Sequence, residues 1–136
     1  MLKRRAALLA GASLLGGAPA WADTWPSKPI RLVIPFAPAG PADVLARVVA
    51  QKLGPSLGQT VRPDNRAGDN GIVGTDVVAK AAPDGYTLLM TVSSAQTLAP
   101  NLYKLPYDAQ KDLVAISNFA TLKTMIVVHP SVPAKT

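Results

Sequence analysis

The feature that most restricts the fold is a run of five residues, Ile30-Arg31-Leu32-Val33-Ile34, closed on either side by Pro29 and Pro35. Five residues between two prolines are too few for a stable helix, and their β-branched content suits a buried strand. Directly behind them Pro41 supplies a helix start and Gly58 a stop. Between these two, Val44, Leu45, Val48, Val49, Leu53 and Leu57 recur at helical spacing as one apolar face. Strand followed by helix is one βα unit.

The unit is repeated. Residues 60–63 read as a second strand, which Pro63 confines to a short or edge position. A turn-rich loop, Asn65-Arg66-Ala67-Gly68-Asp69-Asn70-Gly71, leads into a helix over 72–81 with Val73, Val77, Val78 and Ala81 on one side. Pro83-Asp84-Gly85 ends that helix, and 86–92 form the third strand. Repeated βα units running one way predict an α/β fold with a mainly parallel sheet and right-handed crossovers. Beyond it, 93–107 contain Pro100 and Pro106 and read as loop with one short helix. Two further strands are expected over 113–120 and 125–128, and 132–136 look like the start of another helix.

The first 22 residues stand apart from this pattern. Lys3, Arg4 and Arg5 precede a short apolar stretch, and Ala20-Trp21-Ala22 is a small-x-small cleavage site. That is a secretory leader cut after Ala22, with an apolar stretch too short to favour a stable membrane span. The Arg4-Arg5 pair also fits a twin-arginine signal, but its flanks match general secretion better. Three of the fourteen Lys and Arg residues lie in the leader, so the formal charge of +6 falls to +3 for residues 23–136. The remaining bases are scattered, without a stripe of interleaved aromatics, which argues against nucleic acid as a partner. Cysteine is absent, which excludes disulfides and thiolate metal sites, and every acidic residue is Asp.

In an open parallel sheet, ligands bind outside the carboxyl ends of the strands. Three loops qualify: 35–43, 65–74 and 91–97. In the first, Gly40 permits a tight turn, Pro41 suits the first helical position, and Asp43 lies in the first turn, where its charge favours the helix dipole. The pattern fits equally a capped turn or an anion-holding helix start. Asp43 itself would repel a carboxylate. The second loop lacks the Lys-Ser/Thr of a P-loop. The third offers Thr91, Ser93, Ser94, Gln96 and Thr97 as polar partners, or as ordinary caps. No G-x-S-x-G elbow surrounds the serines, and His129, the only histidine, has no metal-ligand spacing around it.

In order, "WPSKPIRLVIPFAPAGPAD", "DNRAGDNGIVGTDVVAKAAPDGYTLLM" and "NLYKLPYDAQKDL" resemble the N-terminal part of the Bug family, the extracytoplasmic solute receptors of tripartite tricarboxylate transporters. The resemblance implies a type II periplasmic-binding-protein fold, whose two α/β lobes close over a small carboxylated solute delivered to membrane transporter subunits. It implies no metal, no cofactor and no catalytic step. Carried over by position, the ligand-binding residues are Ala39, Gly40, Pro41 and Ala42 from the first loop, Asn70, Gly71 and Gly74 from the second, and Thr91, Ser93 and Ser94 from the third. Two differences from the family pattern stand out. Ala39 replaces a glycine in the first loop, which also lacks a hydroxyl residue, and Asp69 adds a negative charge to the second.

Such receptors are about twice this length. The expected organisation is therefore a leader over 1–22, most of one lobe over 23–112, and strands over 113–136 that lead towards a missing second lobe. The leading expectation is a truncated periplasmic receptor. Two alternatives from other classes are a solute-sensing interaction protein that addresses a membrane sensor, and an exported hydrolase built on Ser93 or Ser94 with His129.

Overall fold

The computed structural model describes residues 24–121, 127–129 and 131–133. Its elements are β1 (Ile30–Ile34), α1 (Pro41–Leu57), β2 (Val61–Asn65), a 3-10 turn (Asp69–Gly71), α2 (Ile72–Ala79), β3 (Thr87–Leu89), α3 (Ser93–Thr97) and α4 (Ala99–Leu102). The strands form one parallel sheet in the order β2-β1-β3, with Leu32 opposite Pro63 on one side and Leu88 on the other. Pro63 lies on an edge strand, as its missing N–H requires.

Alternation along β1 sorts its side chains between two layers. Ile30, Leu32 and Ile34 are almost wholly buried with Ala46, Ala50, Val61 and Met90 beneath α1. Val33, fully buried on the opposite face, lies on the side where α2 packs against β1 and β3. Burying each such aliphatic side chain contributes about 1.5–3 kcal/mol, so this short strand anchors both layers.

The contact face of α1 differs from the expected one. Ala46, Ala50 and Gly54 are buried, whereas Val44 and Val48 are about half exposed. Small side chains let the helix approach the sheet closely, and Leu45, Leu53 and Leu57 fill the flanks. Gly58 closes the helix in the left-handed conformation, with φ 66°, and the Gln59 N–H bonds the Gly54 carbonyl at 3.1 Å.

Residues 93–107 hold two short helices where one was expected. The strand expected over 113–120 is not formed; the segment has no ladder partner among the described residues, and Val114 and Ile116 are strongly exposed. An apolar alternation becomes a strand only when a neighbouring backbone takes up its N–H and C=O groups. Of the strand expected over 125–128, Met125 and Ile126 lie outside the described residues, and Val127 and Val128 are unpaired and exposed. The leader also lies outside them, as do residues 134–136 of the expected last helix. Among the described residues no helix is long and apolar enough to cross a membrane.

Candidate functional site

The strand order fixes where a ligand crevice can open. From β1 the chain passes through α1 to β2 on one side, then through α2 to β3 on the other. The carboxyl ends of β1 and β3 are therefore a topological switch point, and the loops leaving them diverge to leave a gap. Those loops are 35–43 and 90–97.

In the first, the residue with left-handed backbone is Ala39, with φ 64°, while Gly40 is extended, with φ −75°. Gly40 is the N-cap of α1, and among the described residues no side chain caps the helix start. Pro41 has no N–H, so the first-turn amides of Ala42 and Asp43 are the groups the helix leaves unpaired, at the positive end of its dipole.

Asp43 is turned away from those amides. The residue is only 2% exposed. Oδ2 accepts the Ala39 N–H at 2.8 Å and Arg47 Nε at 3.0 Å, and Oδ1 accepts Asn65 Nδ2 at 3.0 Å. The Arg47 hydrogen bond, with those from Ala39 and Asn65, pulls its pKa down from 3.8 to about 2. Asp43 is thus a charged tie within the loop, its charge offset by Arg47. Asn65 also donates to the Phe36 carbonyl at 3.2 Å and accepts from Arg47 Nη2 at 3.3 Å, joining the end of β2 to the loop after β1. The sequence carries a trace of the Asp43–Arg47 pair in its i, i+4 spacing. Asn65 leaves no such trace, because its partners are distant in the chain.

The second loop is an edge-strand loop. Asp69, Asn70 and Gly71 have φ of 44°, 55° and 95° in succession. Gly71 is buried, and a Cβ there would lie 3.4 Å from the Phe36 ring. A Cβ on Gly74 would lie 2.7 Å from both Pro35 and the Arg66 carbonyl. These two predicted ligand residues bring α2 up against the base of the first loop. Asn70 is exposed and donates to Tyr103 Oη at 3.2 Å. A surface depression of about 580 Å³ lies beside α2, lined in part by Asn70, Ile72, Val73, Tyr103 and Lys104; it shares only Asn70 with the predicted residues.

At the third loop, Ser93 and Ser94 are exposed at the start of α3. Among the described residues, Thr91 Oγ1 and Gln96 Nε2 are buried without a hydrogen-bond partner. Such atoms cost free energy until something pairs with them. Gln96 was visible in the sequence only as one polar residue among several. The chemistry on offer is donation, from main-chain N–H, hydroxyl and amide groups. His129 Nδ1 pairs with the Ser131 hydroxyl at 2.7 Å, and among the described residues it is not hydrogen-bonded to Ser93 or Ser94. Nor do the described residues hold a cluster of three metal-ligating side chains.

Residues 45–136 match the profile of the tripartite tricarboxylate transporter family receptor. The protein BugT of Bordetella pertussis is 46% identical over 118 residues, which cover 83% of this chain and 35% of BugT. MatC of Rhodopseudomonas palustris, solved with bound malate, superposes with a TM-score of 0.56 at 36% identity, over 64% of this chain and 30% of MatC. A solved periplasmic transporter gives 0.55 at 42% identity, over 62% of this chain and 29% of its own. The chain thus spans about a third of the length of the relatives it matches, less than the half expected from the sequence.

Proposed function

The chain belongs to the tripartite tricarboxylate transporter receptor family, and from that premise we propose that it is the solute-receiving part of a periplasmic receptor for a small carboxylated organic solute. The observation that carries the reading is the pair of donor-bearing loops at the switch point between β1 and β3. On one side stand the uncapped first-turn amides of α1, and on the other the hydroxyls of Thr91, Ser93 and Ser94. A carboxylate accepts hydrogen bonds from all of these and is favoured at a helix N-terminus without a metal. Malate bound to MatC supports this class of solute.

In this reading residues 1–22 direct export and are removed after Ala22, and the captured solute passes to membrane transporter subunits. The protein binds and releases; it is not an enzyme. The hydrolase alternative required His129 as base for Ser93 or Ser94, and among the described residues His129 bonds Ser131 and neither of those serines.

The test is a titration of the isotopically labelled chain with malate, citrate, glutamate and benzoate, followed by amide NMR. One of these acids is expected to shift the amides of 39–43 and 91–97 together. Shifts confined to other residues, or none with any of the four, would sink the proposal.

A further inference from the structure

Ala39 is the residue of the first loop that holds a conformation unsuited to it. At φ 64° the Cβ of an L-residue crowds the following carbonyl, a cost that glycine escapes. The Ala39 N–H is gripped by Asp43 Oδ2, Asp43 Oδ1 is gripped by Asn65 Nδ2, and the same Asn65 amide reaches the Phe36 carbonyl near the start of the loop. One side chain at the end of β2 therefore spans the loop from its first residues to the first turn of α1.

We propose that Asn65 is a positioning residue: through Asp43 it keeps Ala39 left-handed, and so aims the first-turn amides of α1 at the solute. The inference deepens the receptor function proposed above and rests on it for its affinity readout only. It also explains how alanine is tolerated at position 39. With glycine there, the loop would reach the same conformation without help, and the requirement for Asn65 would fall away.

Four versions of the full chain decide the matter: wild type, Asn65→Ala, Ala39→Gly and the double variant. Two quantities are read. The first is hydrogen-exchange protection of the residue 39 amide against that of Arg31, which bonds the Tyr86 carbonyl within the sheet. The second is the malate dissociation constant from NMR titration.

Asn65→Ala is expected to lower protection at residue 39, and affinity for malate, by about tenfold each, while Arg31 keeps its protection. Ala39→Gly alone should change affinity less than about twofold, because a loop already populated in the competent form has little to gain. In the Asn65→Ala background the same glycine should restore most of both losses. Unchanged protection at residue 39, equal loss at Arg31, or absence of rescue by glycine would each overturn the proposal. Should Asn65→Ala fail to fold, Asn65→Ser takes its place with the same readings. If the wild type does not bind malate, the solute reading fails for that acid, and the exchange measurements alone still support or overturn the role of Asn65.

Discussion

Gly74 lies so close to Pro35 that a Cβ on it would sit 2.7 Å from the proline Cα and Cβ. The contact sets how far α2 stands from the end of β1, and hence the base on which the first loop rests. Backbone cannot yield there as a flexible side chain would. Gly74→Ala is expected to cost about 1–3 kcal/mol, read as a lower urea midpoint with an unchanged slope.

Asp43 gives the fold a dependence on acid. Its carboxyl titrates at about 2 in the folded chain against an ordinary 3.8, so the stabilisation is fully present above about pH 4. It is lost as the pH falls from there towards 2. Thermal melts across that range should show Asp43→Asn less stable than wild type at pH 7, with the difference shrinking as the pH approaches 2. A constant difference would contradict the assigned tie.

Thr91 separates stability from binding. Its buried Oγ1 has no partner among the described residues, so Thr91→Val, nearly equal in shape, should leave stability unchanged or raise it by about 1 kcal/mol. Malate affinity should fall about tenfold. A parallel loss of both would make the hydroxyl structural.

At the opposite end of the sheet, Ser27 N–H donates to Tyr86 Oη at 2.8 Å and Lys28 Nζ lies 4.2 Å from the centroid of the Tyr86 ring. Trp25 packs against the same ring and over Gly85. Tyr86→Ala should release residues 24–29 from the sheet, seen as faster hydrogen exchange at the Ser27 amide. Tyr86→Phe, which keeps the ring, should give a smaller effect of about 1 kcal/mol.

The βα order was legible because it depends on local signals: prolines around β1, Gly58 after α1, and Pro63 on an edge strand. The inward face of α1 was not. Hydrophobicity pointed to Val44 and Val48, but close packing on the sheet favoured the smaller Ala46, Ala50 and Gly54. Residues 113–120 show the limit of a period-two pattern, which identifies a segment able to pair but does not supply its neighbour. The loops proposed for the site follow from the strand ends alone. The left-handed residue was missed because Gly40 drew attention from Ala39, whose N–H is bonded by Asp43, itself bonded by a residue 26 positions from Ala39.

The uncapped start of α1 also bears on how such a site would look to mutational scanning. Two of the four residues at 39–42 are already alanine, and the donors of the first turn belong to the main chain. Replacing side chains there one at a time would leave the amides in place and return a nearly silent map. An amide-to-ester exchange at residue 42 removes the N–H while keeping the side chain, and would make that hidden chemistry audible.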